Sequence, residues 1–192
     1  MQQINEAPEA AKARATQPNR IYAVASGKGG VGKTWFAITL SHALANLGRK
    51  TLLFDGDLGL ANVDIQLGLM PKHDLGTVIS GKLPLNQATL SYDEGGFDII
   101  AGRSGSGNLA NVSANHLHTL GEDLSLLSAA YQTVVLDLGA GVERTVRNLA
   151  NQVDTVMVLT TDEPTALTDA YAFIKITHME RPHTDIRVIV NM

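Results

Sequence analysis

Cysteine is missing from all 192 residues of this chain. Its absence excludes disulfide staples, thiolate metal sites and iron–sulfur ligation, and it is compatible with a reducing compartment such as the cytosol. Aromatic residues make up only 5% of the chain, and Trp35 is the sole tryptophan. No block of Lys or Arg occurs and the net charge is -4, so charge gives no direct signal for nucleic acid. No apolar run approaches the length of a bilayer span, no secretory leader is visible, and no internal repeat stands out. What remains is 44% hydrophobic, over a length usual for one globular domain with a sizeable core.

The most informative stretch is Gly27-Lys28-Gly29-Gly30-Val31-Gly32-Lys33-Thr34. An apolar run, Ile21 to Ala25, precedes it, and an apolar-periodic run from Trp35 to Leu44 follows. That order is strand, glycine loop, helix, and the loop fits G-x-x-x-x-G-K-[ST], the phosphate loop. Successive backbone N–H groups curl round an anion, and the helix N-terminus adds its dipole. Lys33 is expected on the β- and γ-phosphates and the Thr34 hydroxyl on Mg²⁺. Gly27, Gly29 and Gly32 also fit the dinucleotide fingerprint G-x-G-x-x-G, with Asp55 about 20 residues on as a ribose-binding acid. Lys33 and Thr34 decide against that nicotinamide reading, because a pyrophosphate site needs neither a lysine nor a metal-binding hydroxyl there.

Met1 to Arg20 is rich in Ala, Gln and Glu and lacks a strand pattern. It reads as a flexible tail or a docking peptide, with at most a short helix over Glu9 to Ala15. The domain proper is expected over 21–192. After the first helix, closed by Gly48, Lys50 to Phe54 reads as a buried strand. It leads into Asp55-Gly56-Asp57 and onward to Asp64. Three acids beside a phosphate site would repel a nucleotide unless a metal intervened, so at least one should face Mg²⁺ or the attacking water. Turn chemistry and helix capping are the simpler account of Asp64, but not of Asp57.

Ile65 to Gln87 reads as short helices joined by turns at Pro71, Gly76 and Gly81, with His73 on the surface. Phe97 to Ile100 is a short strand, and Gly102 to Gly107 a loop rather than a second anion site. Leu117 to Ala130 reads as a helix on which His116 and His118 diverge. Thr133 to Asp137 is a nearly all-apolar strand, as a buried parallel strand should be. It ends in Asp137, and a flexible glycine loop, Leu138 to Gly141, is expected next. There Asp137 would hold Mg²⁺ through water, and Gly139 and Gly141 would let the backbone approach a γ-phosphate. A helix over Val142 to Gln152, a strand over Asp154 to Thr160, a helix opened by Pro164 and a last strand over Ile186 to Val190 complete the pattern. Alternating strands and helices imply a doubly wound, mostly parallel α/β sheet with helices on both faces.

With Lys28 just after its first glycine, the loop resembles the deviant Walker A form of the MinD/ParA group of P-loop ATPases. Leu52 to Asp64 is similar to the switch I segment of the MinD-like branch, and Asp137-Leu138-Gly139-Ala140-Gly141 to its Walker B and switch II. Asp162-Glu163-Pro164-Thr165-Ala166-Leu167-Thr168-Asp169-Ala170-Tyr171 resembles a segment of the flagellar-number regulators FlhG and FleN. The resemblance spans roughly Ile21 to Met192. It implies an ATP-dependent homodimer in which Lys28 reaches the phosphates on the facing subunit. Asp57 then falls on the water-positioning acid, also near the metal, and Asn191 on the asparagine that contacts adenine. It also implies a signal-recognition-type flagellar GTPase, flagellar switch proteins or a transcriptional activator as partners. The expected place is the cytoplasm, with peripheral membrane contact only through a C-terminal helix that relatives carry and this sequence lacks. Against the family pattern, Trp35 stands where relatives carry a small or polar residue, and either packs on the sheet or narrows the site. The chain is also short of the family's C-terminal part.

Other functions fit less well. A ParA-type DNA-partitioning ATPase wants a basic surface, and a nitrogenase-type reductase needs cluster cysteines. A GTPase wants an N/T-K-x-D motif, which is absent. A nucleotide-binding module without turnover would leave Asp57 or Lys33 idle.

Overall fold

The structure is a computed structural model, and it describes residues 20–102, 113–142, 144–150 and 153–192. The strands are β1 (Arg20–Ser26), β2 (Thr51–Gly56), β3 (Thr89–Tyr92), β4 (Phe97–Ile100), β5 (Thr133–Ala140), β6 (Thr155–Thr160) and β7 (Asp185–Val190). The helices are α1 (Lys33–Asn46), α2 (Val63–Leu67), α3 (Leu75–Ile79), α4 (Ala114–Ser128), α5 (Arg144–Ala150) and α6 (Pro164–Glu180), with a 3₁₀ turn at Leu85–Ala88. The strands form one sheet in the order β3-β4-β2-β5-β1-β6-β7. Every pairing is parallel except β3 with β4. The carboxyl ends of β1, β2 and β5 therefore lie side by side, where an open α/β sheet places its ligand crevice.

Alternation along the strands divides the core in two. Ala23, Leu52, Phe54 and Leu136 face one layer with Leu120 and Leu124 of α4 and Phe173 of α6. Val24, Leu53, Ile99 and Val135 face the other, against Val31 and Ala37 at the start of α1. Helices thus cover both faces, as the near-continuous apolar strands require.

Local signals explain most boundaries. Gly48, at φ 77°, follows the C-cap Leu47 and stops α1. The Asp74 carboxylate accepts the Thr77 N–H at 2.8 Å and starts α3. Pro164 occupies the first turn of α6, where its missing N–H costs nothing.

The structure departs from the sequence reading in several places. Arg20, assigned to the tail, opens β1, where its N–H donates to the Gln132 carbonyl at 3.2 Å. The rest of the tail, with its short helix, lies outside the described residues, as does most of the loop from Gly102 to Gly107. Gly76 sits inside α3 rather than at a turn. β3 was not foreseen, and its hairpin with β4 is the one antiparallel pairing among the described residues. β5 runs on through Ala140, so Leu138 and Gly139 are strand and not loop. The reason is that β5 is flanked on both sides: Gly56 pairs with Leu138, and Ser26 with Ala140.

Candidate functional site

The loop between β1 and α1 is shaped by close approaches that only glycine allows. A Cβ on Gly27 would lie 2.1 Å from the Asp169 carbonyl carbon of α6, so the loop rests directly on that helix backbone. Gly32, at φ 93°, turns the chain into α1 in a conformation that side chains disfavour. The helical ladder begins with the Phe36 N–H donating to the Gly32 carbonyl at 2.9 Å. The N–H groups of Lys33, Thr34 and Trp35 therefore have no helical acceptor. Together with Gly29, Gly30 and Gly32, these residues line a cavity of about 510 Å³. Gly56 to Leu60, Asn62 and Gln66 form its other side, with Gly139, Ala140 and Val146.

Two carboxylates meet behind this cavity, since Asp55 of β2 is in register with Asp137 of β5. Asp137 is only 2% exposed, and its Oδ1 has no hydrogen-bond partner. Burial pushes its carboxyl up to about 6; a hydrogen bond from Thr34 and the charge of Lys33 oppose this, and Asp57 adds to it. Asp55 is held up at about 7, chiefly by burial and further by Asp137, against the amides of Val63, Asp57 and Asn62. Its Oδ2 accepts the N–H groups of Asn62 at 3.0 Å and Val63 at 3.1 Å, and its Oδ1 that of Asp57 at 3.3 Å. Asp55 is thus the clamp of the following segment and the remote cap of α2, whose own N-cap Asn62 makes no side-chain cap bond. A carboxylate so enclosed is not free for a ribose, which removes the dinucleotide reading's key acid.

Asp57 lines the cavity, and its Oδ1 accepts the N–H groups of Gly59 at 3.1 Å and Leu60 at 2.9 Å. Turn chemistry therefore operates at Asp57 as well, and it fixes the carboxylate beside the site. Asp64 lies in the first turn of α2, away from the cavity lining, with a buried Oδ1 that lacks a partner. Its side chain makes no cap, so the capping proposed for it falls to Asp55.

The chemistry of the donors suits Mg²⁺. Thr34 and Asp137 supply hard oxygens, one of them a buried carboxylate oxygen left unpaired. Among the described residues no three of His, Cys, Asp or Glu are grouped to hold a metal by themselves. Such a site would rely on ligand oxygens to complete its cation's shell, as phosphate-bound Mg²⁺ does.

The remaining candidates lie on or against the loop. Lys28 is absent from the cavity lining; its Nζ pairs with Glu163 Oε2 at 2.6 Å and donates to Thr165 Oγ1 at 3.2 Å. Asn191 follows β7 and donates from Nδ2 to the Val31 carbonyl at 3.0 Å, bracing the loop beside Gly32. Trp35 lines the cavity and stays 64% exposed, so it does not pack on the sheet. Sequence reasoning missed the roles of Asp55, Glu163 and Thr165. The only available signals were an acid at a strand end and an acid before the N1 proline of α6.

The chain belongs to the CobQ/CobB/MinD/ParA nucleotide-binding domain family, whose model matches residues 22–192. Among individual proteins it is 40% identical to the antiactivator FleN of Pseudomonas aeruginosa, over 91% of this chain and 62% of FleN. It is 35% identical to the flagellum site-determining protein YlxH of Helicobacter pylori, over 90% of this chain and 58% of YlxH. It thus spans about six-tenths of the length of these two relatives. Its fold is that of the septum site-determining protein MinD of Pyrococcus horikoshii, solved with Mg-ADP. That match has a TM-score of 0.77 and 27% identity, covering 88% of this chain and 68% of MinD. No helix among the described residues is long and apolar enough to cross a membrane.

Proposed function

We propose that this chain binds and hydrolyses Mg·ATP as a dimerisation switch that regulates flagellum number or placement. The observation that carries the enzymatic part is the cavity itself. Unpaired amides and Lys33 form one wall, and Asp57 stands on the other with the half-satisfied Asp137 behind. Lys33 offsets the charge of the β- and γ-phosphates. Thr34, and Asp137 through water, would hold Mg²⁺, which would neutralise further charge on the triphosphate. Asp57, fixed by two turn amides, orients the attacking water. Asn191, whose amide braces the loop at the Val31 carbonyl, is assigned to the adenine by the family likeness alone.

Lys28 supplies the switch. Its pair with Glu163 is largely exposed, at 39% and 61%, and ion pairs in that setting are weak. It can therefore be exchanged for the phosphates on a second subunit. Contacts made only with ATP then favour the dimer, and hydrolysis removes them. The flagellar assignment rests on the likeness to FleN and YlxH and on Asp162 to Tyr171. By the same likeness the partners are a flagellar GTPase of the signal-recognition type, flagellar switch proteins or a transcriptional activator, met in the cytoplasm or at the inner membrane face.

The test pairs phosphate release with solution mass. With Mg·ATP the mass should double and phosphate should be released slowly, and with Mg·ADP the chain should stay monomeric. Absence of binding heat with Mg·ATP, for a folded chain, refutes the reading; binding without release leaves a nucleotide-binding module only.

A further inference from the structure

Trp35 is not used by the mechanism above, and nothing in the fold requires it. Lys33, Ala37 and Ser41 turn the inner face of α1 to the sheet, and the indole points away from that face, 64% exposed. The ring contacts among the described residues are Tyr92 with Phe97 and Lys50 over Tyr131, and Trp35 takes part in neither. Yet it lines the phosphate cavity, as Asn62 and Gln66 also do.

Its position along the loop says which part of a nucleotide it meets. In a phosphate loop the lysine serves the β- and γ-phosphates and the next hydroxyl the metal between them. The last N–H before the helical ladder begins at Phe36 is that of Trp35 itself. That amide would then serve the α-phosphate, which would set the side chain on the same residue beside whatever the α-phosphate carries. We propose that Trp35 is a specificity-determining residue, its indole lying against the nucleoside part of the bound nucleotide and not against the phosphates. The inference rests on the nucleotide reading given above. An exposed indole loses unfavourable apolar hydration when a sugar or purine covers it, and a purine adds stacking.

Mg·ADP and Mg·pyrophosphate separate the nucleoside from the phosphates without driving dimerisation. By calorimetry on the whole chain, Trp35→Thr should weaken Mg·ADP about tenfold, as the loss of one stacking contact does. Mg·pyrophosphate should change by less than about twofold, and Trp35→Phe should recover most of the ADP affinity. Because Trp35 is the sole tryptophan, wild-type emission reports on it directly. It should shift with Mg·ADP at concentrations where the chain is monomeric, and not with Mg·pyrophosphate. Equal losses for both probes, or no loss for either, overturn the assignment. So does an emission shift that appears only as the mass doubles with ATP, which would place the indole between subunits. If the wild type binds neither probe, the nucleotide reading itself fails.

Discussion

The buried acid pair makes a quantitative test possible at Asp55. In the folded chain burial lifts this carboxyl from 3.8 to about 7. Between those values the native chain holds a proton that the unfolded chain has released, so its stability falls as pH rises through the interval. The contribution is complete below pH 4 and gone above pH 7, and it corresponds to about 4 kcal/mol at 1.36 kcal/mol per tenfold change in acidity. Asp55→Asn keeps the shape and one acceptor oxygen but cannot ionise. Its carbonyl should keep the Asn62 and Val63 amides and give up the 3.3 Å bond from Asp57, the longest of the three. That loss costs about 1 kcal/mol. The two stability curves should therefore cross. At pH 3 the variant should lie about 1 kcal/mol below wild type, and at pH 8 up to about 3 kcal/mol above it. A shallower fall remains in the variant because Asp137, lifted to about 6, has the same sign. Urea unfolding followed by circular dichroism, free of magnesium and nucleotide, measures both curves. Parallel curves would show that Asp55 ionises as readily in the native chain as in the unfolded one, and would refute the reasoning.

Three further substitutions address the site. Lys28→Ala should keep most nucleotide affinity and lose ATP-dependent dimerisation; light scattering that still shows a dimer with ATP removes Lys28 from the switch. Asp57→Ala should retain the ATP dimer with little phosphate release, and a normal turnover rate would take Asp57 out of the mechanism. Gly27→Ala sets a Cβ 2.1 Å from backbone of α6, which no rotamer change relieves. It should cost about 1–3 kcal/mol or more, seen as a melting point lowered by about 5 °C or more, and nucleotide affinity should fall with it. A melting curve that overlays wild type would mean that the loop does not rest on α6.

The fold was legible where a local pattern and its neighbours agreed. β2, β5 and β6 are short apolar runs, and a run of that kind has few alternatives to a buried parallel strand. β3 was missed because Thr89-Leu90-Ser91-Tyr92 is half polar and half-buried, and its place is decided by pairing with Phe97 to Ile100. The far end of β5 was misread for the opposite reason. Leu138-Gly139-Ala140-Gly141 looks like a loop by composition, but strands on both sides supply partners as far as Ala140. Propensity gave way there to hydrogen bonds that must be satisfied in a buried sheet.

The site divides along the same line between local and long-range chemistry. The phosphate cradle is one continuous segment, so its residues and their spacing could be read together from Gly27 to Thr34. The acids could be named, but their duties could not. Whether a carboxylate faces a metal or a row of amides depends on what the chain places opposite it. Asp55 and Asp137 meet only because β2 and β5 are neighbours in register, 82 positions apart in the chain. Lys28 finds Glu163 across a still longer separation, because α6 lies against the loop closely enough to demand glycine at position 27. The same contact that leaves Gly27 no room for a side chain brings Glu163 and Thr165 to the lysine. Under the proposed switch, Lys28 so held would leave Glu163 only for a second subunit that offers more charge than one exposed carboxylate, and a nucleotide's phosphates do.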